Sequence, residues 1–238
     1  MKSNAHFHFK QFSVAHDKST HKIGTDGVLL GAWVDVKNAG QILDVGTGTG
    51  VIALMLAQRS SDHTAIDAVE IEKEDADQAM ENVQHSPWPQ KIKVHHTSLQ
   101  EFSQGNKKYD LIVSNPPYFI NSWLPPEKKR SQARHTHELS FDDLLQCSER
   151  LLNEHGRLAV ILPYQEAIQF IALAKQHRLF PARQLSFRSR QHKPVERLVL
   201  EFTRHNVKPA EEELILHGET NEWSDDYCRL TRGFYLKI

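Results

Sequence analysis

From residue 41 onward, short apolar stretches alternate with longer segments whose apolar residues recur at helical spacing. Residues 41–45 read as a short strand. Residues 51–59 read as a helix, apolar all round and rich in the helix formers Ala, Leu and Met. A strand over 64–70 follows, then a polar helix over 73–85 that Ser86-Pro87 ends, then strands over 91–96 and 109–114. The pattern continues with a helix at 141–152, a strand at 157–162, a helix at 165–177 and a strand at 198–203. Strands alternating with helices of roughly 10–15 residues imply βαβ units and a parallel sheet with helices on both faces. The late pair at 184–188 and 195–203, with Gln191-His192-Lys193-Pro194 between its members, predicts an antiparallel hairpin appended to the sheet edge. In an open α/β sheet of this kind ligands sit beyond the carboxyl ends of the strands, near the point where strand order reverses. Chemistry is therefore expected just after a strand.

Composition narrows the class. A chain of 238 residues, 39% hydrophobic and 25% charged, is an ordinary globular protein. It reads as one α/β domain over 41–238 preceded by an extension over 1–40. No apolar run approaches the roughly 20 residues of a membrane helix, and the His-rich start lacks the apolar centre of a secretory signal. Cys147 and Cys228 lie far apart and form no CxxC pair, so a reduced, cytoplasmic protein without a structural metal is the expectation. The pairs His6/His8, His95/His96 and His135/His137 lack Cys or carboxylate partners at ligand spacing and read as solvated. The net charge of −1 says nothing about a polyanionic partner, but its distribution is uneven. Arg178, Arg183, Arg188, Arg190, Lys193 and Arg197 face a single nearby acid, Glu196. Lys128, Lys129, Arg130 and Arg134 form a second cluster, and acids gather at Glu70 to Glu81 and at Glu211 to Glu213. Each basic cluster is either a track for phosphates or a solvated face.

Two segments carry chemistry. The first is Asp44-Val45-Gly46-Thr47-Gly48-Thr49-Gly50, between the first strand and first helix of the domain. Glycines there permit a sharp turn and close approach of a ligand to the backbone, and the helix start offers unsatisfied N–H groups. A dinucleotide fingerprint would need Gly or Ala where Val51 stands, and a phosphate loop would need a GK[ST] triplet that the chain lacks. Glu70, ending the second strand 20 residues after Gly50, is placed to accept hydrogen bonds from ribose hydroxyls. The second segment is Asn115-Pro116-Pro117-Tyr118, after the strand at 109–114. Two prolines cannot extend a ladder, so the segment is at least a stiff turn. Such a turn also fixes the Asn115 side-chain oxygen and the Pro116 carbonyl as two acceptors. Together they can grip both hydrogens of a planar amino group and favour the more positive, tetrahedral nitrogen of a transfer step. Tyr118 offers a face for an unstacked base.

With these residues in view, the acid-GxGxG loop resembles motif I of the class I methyltransferases, and Asn115 to Tyr118 resembles the NPPY motif of enzymes that methylate adenine N6 or a glutamine amide. Phe9-Lys10-Gln11-Phe12, Val14-Ala15-His16-Asp17, the run Lys22 to Trp33 and the ending Phe234-Tyr235-Leu236 resemble the bacterial tRNA(Val) adenine-N6 methyltransferases, over nearly the whole chain. The resemblance implies a Rossmann-like fold with a mostly parallel seven-stranded sheet. It implies S-adenosylmethionine as methyl donor, no metal, and a tRNA adenine just 3′ of the anticodon as acceptor. The cofactor would be held by Asp44, Gly46, Gly48, Gly50 and Glu70. Thr25 and Asp26 would cover its methionine end, besides serving as an N-cap for a helix over 27–34. Many relatives carry an acid after the third strand to hold the cofactor's adenine; this chain has Ser98, whose hydroxyl or backbone N–H would have to serve, with weaker binding. Lys128, Lys129, Arg130, Arg134, Arg188 and Arg190 are the candidate RNA contacts. No membrane partner is expected, and a monomer is the default. A glutamine-amide methyltransferase, a DNA adenine methyltransferase and a non-catalytic cofactor-binding module stay open as alternatives.

Overall fold

The computed structural model describes residues 6–19, 23–117 and 139–237. A two-stranded antiparallel ribbon, β1 (His6–His8) and β2 (Ser13–Ala15), leads into α1 (Thr25–Trp33). The domain proper then runs β3 (Gln41–Val45), α2 (Val51–Arg59), β4 (Ala65–Glu70), α3 (Lys73–Gln84), β5 (Ile92–His96), α4 (Leu99–Phe102) and β6 (Tyr109–Ser114). After the segment outside the described residues come α5 (Phe141–Leu151), β7 (Leu152–Pro163), α6 (Tyr164–Ala174), β8 (Phe180–Arg188), β9 (Arg197–Thr203), β10 (Ala210–Ile215) and α7 (Asp225–Thr231).

The main sheet has the order β10-β8-β9-β7-β6-β3-β4-β5. The strands from β7 across to β5 are parallel to one another, while β9 is antiparallel to both β7 and β8. Strand order reverses between β3 and β6, so the switch point lies at the carboxyl ends of exactly the strands that carry the two motifs. Alternate residues of each strand feed two cores. Ile42, Ile66, Leu111, Val113 and Ile161 face α1 and α2, while Leu43, Val69, Ile112, Leu158 and Val160 face α5 and α6. On α5, Leu144, Leu145 and Leu151 are buried at helical spacing, and Ser140 caps the first turn by accepting from the Asp143 N–H at 3.1 Å. Truncating such a leucine to alanine is expected to cost roughly 2–5 kcal/mol.

Sequence and structure differ in places. The sheet has eight strands because β10 adds parallel to β8 at the edge where the hairpin was expected to end the sheet. Its sequence, AEEELI, shows no apolar alternation. The strand is held by its backbone ladder with β8 over Ala210–Ile215 and by the buried Leu214, with Glu212 and Glu213 pairing with Arg183 at 3.0 Å and Arg188 at 2.5 Å. Helix α1 starts two residues earlier than expected, with Gly24 as N-cap and no side-chain cap bond; Thr25 and Asp26 are its first helical residues rather than its cap. α1 can lie close on α2 because Gly31 has no Cβ: one built there would stand 2.9 Å from Met55 Sδ. His95 is not solvated, since its Nε2 lies 2.7 Å from Oδ1 of the buried Asp67.

Candidate active site

At the end of β3 the chain enters the glycine loop with Gly46 at φ 67°, Gly48 at φ 55° and Gly50 at φ 82°, all in the left-handed region that side chains rarely adopt. The loop is pinned beneath by the Gly46 and Thr47 N–H groups, which donate to the Val69 carbonyl at 2.9 and 3.1 Å. A Cβ built on Gly46 or Gly48 would meet no atom within 4 Å, so the outer face of the loop is open to a ligand.

Two acids organise this loop. Asp44 is fully buried, and its Oδ2 accepts from Thr47 Oγ1 at 2.6 Å and from the Ala53 N–H at 3.1 Å. Its Oδ1 is also buried, with no hydrogen-bond partner among the described residues. Burial pushes the Asp44 carboxyl up to about 7; the bonds from Thr47 and Ala53 oppose the rise and the negative charge of Glu70 adds to it. Glu70 ends β4. Its Oε1 accepts from the Ile71 and Glu72 N–H groups at 2.8 and 3.0 Å, and its Oε2 accepts from the Gly48 N–H at 2.9 Å. A carboxylate has about four lone-pair sites, so Glu70 still has capacity for a hydroxyl donor. A buried acceptor lacking a donor, beside a bare glycine loop, fits the ammonium end of S-adenosylmethionine; Glu70 fits its ribose.

A small cleft continues from this loop, lined among others by Gly46, Glu70, Ile71, Ser98, Leu99 and Leu139. Ser98 is therefore at the cleft, but its hydroxyl caps α4 by accepting from the Glu101 N–H at 3.1 Å. A larger hollow lies between the β1–β2 ribbon and α3, lined among others by Phe9 to Phe12, Ala15 and Asn82; it touches neither the glycine loop, Glu70 nor the Asn115 segment, so chemistry rather than size selects the smaller cleft.

The Asn115-Pro116-Pro117 segment leaves β6 beside the glycine loop. Ser114 pairs in register with Val45, and its hydroxyl donates to the Val45 carbonyl at 2.9 Å. Asn115 is half-buried, Pro116 buried and Pro117 exposed. Asp26, at the first turn of α1, accepts from Arg197 Nε at 2.9 Å; Arg197 opens β9 and pairs with Pro163 at the carboxyl end of β7. Thus α1 is tied to the same end of the sheet as the motifs. Arg188 bonds Glu213 and donates to the Lys193 carbonyl at 2.7 Å, while Arg190 donates to the Thr220 carbonyl and to Asn221. Both candidate RNA contacts thus carry intramolecular partners. Tyr118, Lys128, Lys129, Arg130 and Arg134 lie outside the described residues.

Sequence reasoning missed Asn82, a buried amide on α3 that bonds both the glycine loop and β2. Its partners are 33 and 67 residues away, and no local pattern signals them. It also missed the cluster in which Asp67 accepts from Lys107 at 2.6 Å and from the Tyr109 hydroxyl at 2.8 Å in addition to His95.

Comparison with known proteins agrees with this geometry. Residues 19–180 match the family model described as the methyltransferase small domain. A solved structure of a predicted O-methyltransferase from Agrobacterium tumefaciens superposes with a TM-score of 0.69 over 88% of this chain and 96% of that one; at 17% identity it shows the fold alone. A tRNA1(Val) (adenine(37)-N6)-methyltransferase of Parabacteroides distasonis is 45% identical over 99% of this chain and 100% of its own length. The protein of that name from Yersinia pseudotuberculosis is 44% identical over 97% of this chain and 92% of its own. With motif spacing, sheet order and full-length similarity in agreement, the chain belongs to the tRNA1(Val) (adenine(37)-N6)-methyltransferase family.

Proposed function

We propose that this chain transfers the methyl group of S-adenosylmethionine to the exocyclic N6 of an adenine in tRNA, the one just 3′ of the anticodon in tRNA(Val). The observation that carries the reading is the emergence of the Asp44 loop and the Asn115-Pro116-Pro117 segment from neighbouring parallel strands at the switch point. That arrangement suits donor and acceptor side by side.

Asp44 and Glu70 hold the donor by its ammonium and ribose, the glycines leave room for its backbone approach, and α1 with Thr25 and Asp26 closes over its methionine end. Ser98 borders the adenine and contacts it through its backbone N–H, since its carbonyl accepts from the Phe102 N–H and its hydroxyl from the Glu101 N–H. When bound, the donor supplies a methyl already activated on a sulfonium, so the chain contributes mainly in-line positioning and a dry site. The Asn115 Oδ1 and the Pro116 carbonyl accept the two hydrogens of the adenine amino group. These bonds strengthen as positive charge develops on the nitrogen, which lowers the barrier. Pro117 stiffens the segment, and Tyr118 stacks on the flipped base. An adenine amino group need not lose a proton before attack, so no general base is assigned; as the N–CH3 bond forms the S–CH3 bond breaks, S-adenosylhomocysteine leaves, and the extra proton passes to water. Lys128, Lys129, Arg130 and Arg134 follow Tyr118 directly and serve as phosphate contacts, with Arg188 and Arg190 joining if their present partners give way. The 1–40 segment acts as a cover on the site of the 41–238 domain, and the enzyme works in the cytoplasm, where its substrate resides.

The test is methyl transfer from labelled S-adenosylmethionine to bulk tRNA lacking its own modifications, followed by nucleoside analysis. N6-methyladenosine in the tRNA supports the reading. Unlabelled tRNA with intact cofactor binding shifts the acceptor to a protein amide or DNA.

A further inference from the structure

Asn82 lies in the last turns of α3, outside every motif, yet it is 3% exposed and spends its whole amide on two distant segments. Its Oδ1 accepts from the Ala15 N–H at 2.8 Å. Its Nδ2 donates to the Ala15 carbonyl and to the Thr49 carbonyl, both at 2.9 Å. Thr49 is the residue between Gly48 and Gly50, and Gly50 packs against Ala79 of the same helix, with a built Cβ 3.4 Å from the Ala79 Cβ. On the other side, Ala15 ends β2, and the chain beyond it stays on α3 through the Lys18 N–H, which donates to the buried Gln78 at 3.1 Å. One amide therefore joins the loop that faces the cofactor to the segment that leads into α1.

We propose that Asn82 is a positioning residue that makes the glycine loop and the N-terminal segment order as one unit, so that cofactor binding tightens residues 13–19. The inference rests on the reading of the loop as the S-adenosylmethionine site. Its physical basis is that glycine backbone is intrinsically permissive, so the loop keeps one conformation only through hydrogen bonds from its neighbours. A buried carbonyl at Thr49 has to find a donor, and Asn82 can supply one only while Ala15 holds the other end of its amide. Fixing the loop on a ligand fixes Asn82, and with it β2; releasing β2 lets the amide rotate and loosens the loop. The coupling runs through the hydrogen bonds of Asn82 to Ala15 and Thr49, with no contact between Asn82 and the methyl site required.

The substitution Asn82→Asp keeps size and shape and keeps the acceptor for the Ala15 N–H, but it sets an oxygen against two carbonyls. Cofactor Kd is expected to rise roughly tenfold, as for the loss of a buried hydrogen bond, while kcat at saturating cofactor stays within about threefold. Hydrogen exchange provides the readout that general destabilisation does not mimic. In the wild-type protein, saturating S-adenosylmethionine slows exchange in the peptide covering residues 13–19; in Asn82→Asp at saturation it does not. Lys18→Ala, which removes only the exposed ion pair with Glu81, leaves both cofactor affinity and the slowing unchanged. The wild-type exchange experiment stands even if Asn82→Asp fails to fold. Unchanged exchange over 13–19 in cofactor-bound wild type, or wild-type affinity in Asn82→Asp, overturns the proposal. A wild-type protein that binds no S-adenosylmethionine overturns the cofactor reading itself, and the coupling with it.

Discussion

If Asp44 holds the cofactor's ammonium, as proposed, its buried carboxyl makes binding proton-linked, with a size that follows from the structure. Without ligand the carboxyl titrates at about 7, because burial opposes its charge and Oδ1 has no donor among the described residues. An ammonium placed on Oδ1 supplies the missing partner and holds the group ionised, so binding at acidic pH must expel a proton. The apparent Kd is then raised by the inverse of the ionised fraction, roughly elevenfold at pH 6 and twofold at pH 7, a loss of about fivefold between them. An α-amino group near 8 stays protonated through that window, so the ligand itself adds little. Calorimetric titration at both pH values, in buffers of different ionisation enthalpy, checks this directly. About 0.9 proton should be released per site at pH 6 and about 0.5 at pH 7. In Asp44→Asn the amide nitrogen would stand where Oδ1 meets the ammonium, so binding weakens strongly and its pH dependence over this range disappears. The sign for stability is the reverse of an ordinary paired carboxylate. Folding raises this pKa, so nothing is lost below about pH 4, the cost builds between there and pH 7, and it is complete above, at a few kcal/mol. Asp44→Asn should therefore melt higher than the wild type at pH 8 when no cofactor is present. A Kd that stays flat between pH 6 and pH 7, with no proton released, would refute the reasoning.

Other expectations follow from the same geometry. Asn115→Ala should lower turnover about tenfold or more while leaving cofactor Kd within a few-fold; equal loss of both in steady-state and binding assays would make Asn115 merely structural. Gly50→Ala forces a side chain into φ 82° and against Ala79, and should cost roughly 1–2 kcal/mol in guanidinium unfolding. Burial alone would raise the Asp67 carboxyl, but bonds from Lys107, His95 and Tyr109 outweigh it and hold the group below its usual range. Its stabilisation is therefore complete above the unfolded carboxylate value and lost as pH falls through the lowered folded value. Asp67→Asn should cost roughly 2–3 kcal/mol at pH 7, and the gap to wild type should close as urea melts are taken below about pH 4.

The sequence made some features legible and hid others for physical reasons. Strands β3, β4 and β6 announce themselves because buried strands in a parallel sheet are short apolar runs between glycine, proline and polar stretches. The glycine loop and the Asn-Pro-Pro segment are local in sequence, so spacing alone finds them. β10 is hidden because what holds it, a ladder to β8 with ion pairs to Arg183 and Arg188, lies more than 20 residues away in sequence, while its own pattern offers only Leu214 as a buried residue. The same pairing sets two of the six cations of the basic run over 178–197, Arg183 and Arg188, against Glu212 and Glu213. β1 and β2 have three residues each, too few for any period to show, and they are held by Asn82 and by the C-terminal Phe234 and Tyr235. Thr25 and Asp26 looked like a cap because the residue types suit one; Arg197 instead draws Asp26 into the first turn.

The central claim is that an adenine amino group is gripped beside the Asp44 loop and methylated. Its most direct test is single-turnover methyl transfer from S-adenosylmethionine to two unmodified tRNA(Val) transcripts, one natural and one with guanine replacing the adenine 3′ of the anticodon. One N6-methyladenosine is expected per natural transcript, at that position, and none in the substituted one. Equal labelling of both transcripts, or none in either while cofactor binds normally, would contradict the claim.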